Sequence, residues 1–251
     1  MSPKAGDKTY FQQIGADGVA HSLGKPFTEA ERGQLLAQIA AIMTVLPDPP
    51  AKVLDLGCGT GWTTCWFAQS GYESVGQDLA EDAIEHAKRF AQDRGIKNIS
   101  FAAGDFESMP FEGEFDAAVF FDSLHHAEDE VAALKAVHRA LKPGGVCVTS
   151  EPGAGHAADP HTQQAAKDYG VTERDMPPRK IRAAAKQAGF RSAEFFADPA
   201  LVNRALYRIP ATPSKRRLLR LPVVGTLLRG VTLLNLLTLK RPRWGLVVLT
   251  K

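Results

Sequence analysis

The sequence predicts an α/β fold, a mainly parallel sheet with helices on both faces, and three observations carry that prediction. Short apolar runs recur along residues 53–150 and alternate with helical patterns of ten or more residues, the order that builds βαβ units. One run passes straight into a glycine-rich turn and then a helix. A second turn, Lys142-Pro143-Gly144-Gly145, closes a helix and leads directly into another run. At 251 residues, 44% hydrophobic and 23% charged, the chain can bury a full core and form one domain with an elaboration, which excludes a disordered or fibrous class.

Each element follows from local pattern. Residues 1–13 are polar and lack an apolar core segment, so no secretory signal is expected. Leu35, Leu36, Ile39, Ile42, Met43 and Leu46 recur at helical spacing, and residues 28–46 read as an amphipathic helix capped by Thr28 with Glu31 three residues later. Val53, Leu54 and Leu56 follow Pro49 and Pro50 as an apolar run suited to a strand buried on both faces. A helix begins at Trp62 and runs over 62–70; strands follow at 74–76, 99–102, 115–121 and 146–150, with helices at 81–94 and 128–141. Beyond Glu151, the Gly- and His-rich stretch 153–161 and the polar segment 167–175 suit an active-site loop or lid. Pro177 and Pro178 start a helix to Ala188 that Gly189 stops, residues 191–196 resemble a strand, and 244–249 read as the last strand. The expected organisation is N-terminal helices and core over 1–198, an insertion over 199–243, and the final core strand over 244–251. No internal repeat is visible.

The strand and loop at 53–62 read Val-Leu-Asp-Leu-Gly-Cys-Gly-Thr-Gly-Trp. Gly57, Gly59 and Gly61 let the chain turn sharply and bring backbone N–H groups close to a ligand. Their GxGxG spacing differs from the GxGxxG of dinucleotide folds. With Asp55 two residues ahead of the first glycine, the segment resembles the DxGxGxG signature of class I S-adenosylmethionine (SAM) dependent methyltransferases. Asp78 ends the second strand, where a carboxylate can accept hydrogen bonds from both hydroxyls of a ribose. Gly104-Asp105-Phe106 resembles the family's adenine contact, the acid accepting the exocyclic amine and the next residue packing on the ring. Phe115-Asp116-Ala117-Ala118-Val119 and Leu141-Lys142-Pro143-Gly144-Gly145 complete a resemblance that covers about residues 50–150.

The resemblance implies a Rossmann-like, mainly parallel seven-stranded sheet, SAM as cofactor, and Asp55, Gly57, Cys58, Gly59, Gly61, Asp78, Leu79, Asp105, Phe106 and Asp122 as cofactor-binding residues. Ligands of such sheets bind beyond the carboxyl ends of the strands, so the acids should converge on one crevice. The fourth strand ends in Phe121-Asp122-Ser123-Leu124-His125-His126 at the same edge, making His125 and His126 candidate catalytic bases; His156 and His161 are further candidate contacts. Asp122, Glu151, His125, His126, His156, Asp159 and His161 together offer divalent-metal ligands. No compact spacing such as HExxH is present, so solvated loop residues are expected instead of a metal site.

Residues 199–251 contain eleven Lys or Arg and no Asp or Glu, whereas the preceding 198 carry 19 Lys or Arg against 28 Asp or Glu, a net −9. A basic apolar insertion on an acidic body points to an anionic partner. Residues 221–239 approach a bilayer span, but Arg229 at the centre is costly in hydrocarbon, and a surface hairpin or helix pair is expected. Interfacial docking fits best, with leucines in the headgroup boundary and Lys215, Arg216, Arg217, Lys240, Arg241 and Arg243 meeting anionic lipid. A lid and a homodimer interface are the alternatives. Three cysteines without CxxC spacing suit a reducing cytoplasm, with the inner membrane surface as the docking place. Basic residues interleaved with leucines rather than aromatics argue against nucleic acid. The reading is O-methylation of a sugar, glycan or lipid-linked intermediate; N- or O-methylation of a soluble natural product and a non-enzymatic SAM-binding module are the alternatives.

Overall fold

The computed structural model describes residues 4–207, 221–237 and 245–251. Strands β1 (Lys52–Leu56), β2 (Glu73–Asp78), β3 (Ile99–Ala103), β4 (Phe115–Phe121), β5 (Leu141–Glu151), β6 (Ser192–Phe196) and β7 (Gly245–Thr250) form one seven-stranded sheet in the order β3-β2-β1-β4-β5-β7-β6. The first five pair in parallel, and β7 runs antiparallel to both β5 and β6. Strand order reverses between β1 and β4, which opens a crevice beyond their carboxyl ends.

Helices α1 (Ala5–Leu23), α2 (Arg32–Val45), α3 (Trp62–Gln69), α4 (Glu81–Asp93), α5 (Glu130–Ala140), α6 (Pro160–Tyr169), α7 (Pro178–Ala188), α8 (Pro199–Tyr207) and α9 (Pro222–Leu237) accompany the sheet. The two-residue period of β1 sends Leu54 and Leu56 into one core with Phe120, Leu134, Val137, Ile181 and Leu249. Val53 enters the other, with Ile39, Ile42, Phe67, Val119 and Val148. Each fully buried Leu, Ile, Val or Phe contributes roughly 1.5–3 kcal/mol relative to exposure, so the sheet that carries the crevice is a rigid support.

Several boundaries differ from the sequence expectation. The polar N-terminus forms α1. The helix expected at 28–46 starts at Arg32, because Thr28 Oγ1 donates to His21 O at 2.8 Å and closes α1 instead of capping α2. The turn at 142–145 belongs to β5, which pairs Leu141 with Phe115 and resumes after a bulge at Ala117↔Val146. Within the polar lid region, Asp159 caps α6 by accepting from the N–H groups of His161 and Thr162. The last strand begins at Gly245, and Trp244 lies outside the described residues.

Both stems of the insertion sit at the carboxyl edge of the sheet: Gly245 pairs with Glu151, and Leu246 with Phe196. Within it, α8 is tied to α2 through Arg204, which donates to Gln34 and lies 3.7 Å from Glu31. On α9, Val223, Leu227 and Val231 are 71%, 63% and 58% exposed. Among the described residues no helix is long and apolar enough to cross a membrane. The flanking cations Lys215, Arg216, Arg217, Lys240, Arg241 and Arg243 lie outside the described residues.

Candidate functional site

The glycine loop joins β1 to α3 and is held to the end of β2. Gly57 N–H and Cys58 N–H both donate to Gln77 O, at 2.8 and 3.0 Å. Gly57 has φ +68°, and a Cβ there would lie 2.5 Å from Ser123 Cβ. Gly61, at φ +80° ahead of α3, would bring a Cβ within 2.8 Å of the Ala87 methyl group. Asp55 lies beneath this loop at 1% exposure and accepts from Thr63 Oγ1 and Thr64 Oγ1, both at 2.6 Å. Burial pushes its carboxyl up to about 6 despite those bonds. Asp55 therefore reaches the crevice only through the loop it braces. The buried Cys58 thiol, raised well above its ordinary range by burial and the nearby Asp78 and Asp55, is an inert packing group.

Asp78 stands at the end of β2 with Leu79 half-buried beside it. Its Oδ2 accepts from Gly59 N–H at 2.8 Å and its Oδ1 from Ala80 N–H at 2.9 Å, so one carboxylate spans the loop and the start of α4. Asp105, beyond β3, accepts from Glu107 N–H at 2.9 Å and receives the Lys4 ammonium at 2.6 Å. Lys4 also lies 2.6 Å from Glu107. The Phe106 ring packs edge-on against Phe120 at 5.4 Å, on the core side. Helix α1 crosses this edge: Ser22 Oγ lies 3.0 Å from Thr60 Oγ1, and the Phe11 ring abuts Gly59. Glycine-lined backbone beside two carboxylates at adjacent strand ends fits a nucleoside-bearing cofactor such as SAM.

A second group of side chains occupies the same edge. The Glu151 carboxylate, at the end of β5, accepts from the backbone N–H groups of Ser123, Leu124 and His125 and from His125 Nδ1 at 2.8 Å. His125 Nε2 lies 3.4 Å from Glu173 Oε2, and His156 Nε2 lies 2.7 Å from the same oxygen. Burial disfavours a charged His125 ring, but the hydrogen bonds to Glu151 and Glu173 overcome it and push its pKa up to about 10. For Glu173 too burial opposes the charge, and the bond from His125 with the charges of His126 and His125 brings it down to about 2. Carboxylates at both ring nitrogens favour the protonated ring, which weighs against His125 as the base and leaves His126 as the better placed of the two candidates. His126 differs: Nδ1 faces Thr172 O at 2.5 Å and Asp7 at 3.3 Å, which in the neutral ring leaves Nε2 as the lone-pair nitrogen.

The remaining members of the expected metal cluster separate. Asp159 is the α6 cap, His161 lies exposed in the first turn of α6, and Glu151 is committed to four donors. Asp122, at φ +54°, is 64% exposed and only 4.0 Å from His125 Nδ1. Glu173, Thr172, Asp7 and Lys4 belong to the site and were not anticipated. Only Thr172 and Glu173 had any signal, their place in the polar segment expected to form a lid.

A doubly wound sheet closed by an antiparallel seventh strand, with a glycine loop after β1 and acids at the ends of β2 and β3, defines a class I methyltransferase fold. Residues 47–197 match the family described as a methyltransferase domain, and the chain belongs to that family. It is 37% identical over 95 residues to an uncharacterized methyltransferase, YcgJ, of Bacillus subtilis, a match covering 38% of each chain. It is 39% identical over 108 residues to the demethylmenaquinone methyltransferase of Lactococcus lactis, covering 40% of this chain and 43% of the relative. The chain thus spans about two fifths of the length of these curated relatives. A SAM-dependent methyltransferase structure from Mesorhizobium loti superposes with a TM-score of 0.57 at 22% identity, covering 86% of this chain and 98% of that one, which shows the shared fold.

Proposed function

We propose that the chain is a SAM-dependent methyltransferase that methylates an oxygen of a lipid-linked acceptor at an anionic membrane surface. The observation that carries this reading is one of placement. The imidazole and carboxylate group around His126 and both stems of the basic apolar insertion lie at the strand edge that bears the glycine loop, Asp78 and Asp105. The loop amides and Asp78 would hold the cofactor's amino acid and ribose, and Asp105 its adenine amine. When bound, SAM supplies a methyl group made electrophilic by its sulfonium. The acceptor oxygen gains that methyl as the carbon–sulfur bond breaks, sulfur keeps the bonding pair in S-adenosylhomocysteine, and the hydroxyl proton passes to His126 Nε2. His125 and Glu151 hold the turn that places His126.

Exposed Val223, Leu227 and Val231 offer an apolar face to a headgroup boundary, and the cations that flank α9 in sequence complement anionic lipid. The Lactococcus relative is named a demethylmenaquinone methyltransferase, and an acceptor of that kind supports the lipid-linked reading. Under this reading residues 199–243 form a docking element on a core of 1–198 and 244–251.

Methyl-labelled SAM incubated with the protein and cell extract should label the lipid-extractable fraction. Co-sedimentation with anionic vesicles should require residues 199–243. Label confined to the soluble fraction, or equal vesicle binding with and without the insertion, refutes the acceptor class; no label at all refutes the enzyme.

A further inference from the structure

Two histidines on one turn each have Nδ1 tied to a fixed acceptor, and His125 Nε2 faces the Glu173 carboxylate across a gap that a divalent cation would fill by displacing the shared proton. His125 Nδ1 donates to the buried carboxylate of Glu151 at 2.8 Å, and His126 Nδ1 to the carbonyl of Thr172 at 2.5 Å. This is the outer-sphere arrangement of metal-ligating histidines, whose far N–H almost always binds a carboxylate or backbone carbonyl that sets the tautomer and aims the ring. Ligand atoms from His125, His126 and Glu173 all lie within 4.8 Å of one another. His125 Nε2 and Glu173 Oε2 are 3.4 Å apart. That separation is close to the ~3.4 Å edge of a tetrahedron whose ligands stand ~2.1 Å from a central ion.

We propose that His125 Nε2, His126 Nε2 and the Glu173 carboxylate form a binding site for a first-row divalent cation, zinc or a chemically similar ion, on the acceptor side of the crevice. Two imidazoles and one carboxylate suit such an ion better than magnesium or calcium, which favour oxygen ligands. Three protein ligands leave at least one position open for a water or an acceptor oxygen. His156, 2.7 Å from the same Glu173 oxygen, stands within reach of the site. Glu151 is not a ligand; with four donors already on it, its place is behind His125. The site deepens the methyl-transfer reading by giving the acceptor hydroxyl a second route to activation: a bound ion would lower the pKa of a coordinated hydroxyl, and the lone pair of His126 would then serve the ion. It departs from the sequence expectation, which placed no metal here because the ligands follow no compact spacing. The third ligand comes from 47 residues beyond His126.

The test is zinc binding by the untagged full-length chain, measured by calorimetry and by metal content after dialysis, with cobalt substitution to read the ligand field in the visible spectrum. One zinc per chain is expected. Glu173→Gln and His126→Gln should each weaken binding at least ~10-fold, and Glu151→Gln, which loosens the turn that aims both histidines, by ~10–100-fold. Melting curves select the variants that remain folded, and Glu173→Gln, in a loop, is the least disruptive. Substoichiometric zinc, or zinc bound equally by all three variants, overturns the proposal. SAM binding is titrated in parallel on the same samples. Zinc bound at the expected ligands without SAM binding upholds the metal site and removes the methyl-transfer reading; SAM bound without zinc does the reverse.

Discussion

The Lys4 ammonium lies 2.6 Å from Asp105 Oδ2, so the residue just ahead of α1 occupies the acid proposed to meet the adenine amine. Cofactor entry has to displace this pair. A partly exposed ion pair is worth ~0.2–1 kcal/mol, so Lys4→Met should tighten SAM binding by up to ~5-fold. Calorimetry on the variant reads the change directly, and weaker binding would show that Lys4 helps to hold the cofactor instead.

Gly57→Ala should weaken cofactor binding without requiring any ligand contact to be lost directly. The new Cβ would meet Ser123 Cβ at 2.5 Å, at a backbone φ of +68°. Strain and overpacking together cost ~1–3 kcal/mol each where they cannot relax. A melting curve should fall, and SAM affinity should drop at least ~10-fold, the fold-equivalent of ~1.4 kcal/mol. Adding Ser123→Gly relieves the contact but not the dihedral, and so should restore only part of the loss.

Asp55 gives the ligand-free protein a defined pH dependence. Its folded-state pKa, about 6, lies above the unfolded carboxylate value near ~3.9. The folded state therefore holds the proton longer, and this contribution to stability is complete below the unfolded value and disappears as pH rises through about 6. Denaturant midpoints measured from pH 3.5 to 7 should carry this falling component, and Asp55→Asn should remove it. An unchanged slope in the variant would assign the pH dependence elsewhere. Thr63→Val with Thr64→Val should destabilise by ~1–3 kcal/mol per lost bond at neutral pH, because a buried carboxylate is left without its donors.

His125 and His126 should fail in different ways. His126→Gln should lower turnover by ~10²–10⁴-fold with the melting temperature nearly kept. His125→Gln should instead unfold the protein readily, since it strips the cation from between the Glu151 and Glu173 carboxylates, a change worth ~3–5 kcal/mol in buried pairs. Equal stability of the two variants would contradict this division of roles.

The strand, loop and helix over 52–69 are legible from sequence because local rules agree there: an apolar run, glycines where φ is positive, and Asp55 against two threonines. Strand β4 is legible for the same reason, as an apolar run; the first residues of β5 read as a turn, whereas the short mixed strands β2 and β3 are legible chiefly from their alternation with helical patterns. Helix α1 is not, because its polar residues are held by partners far along the chain; the Tyr10 ring packs on Tyr169 at 5.4 Å, and Asp7 receives the Thr172 N–H at 3.3 Å. Glu173 escaped for a related reason. A single glutamate in a polar run carries no periodicity, and only the return of residues 170–177 across the sheet edge brings it to His125 and His156. The place of His125 at the strand edge was legible but its bonding was not, because that depends on two carboxylates that only the fold brings to its ring.

Because Phe196 and Leu246 are paired directly, the sheet closes at the root of the insertion whatever lies between them. The entropy of closing a connecting segment grows only logarithmically, by ~0.6 kcal/mol for each doubling of its length. Descendants of such a chain could lengthen, shorten or exchange this segment at almost no thermodynamic cost to the half of the sheet that carries the glycine loop.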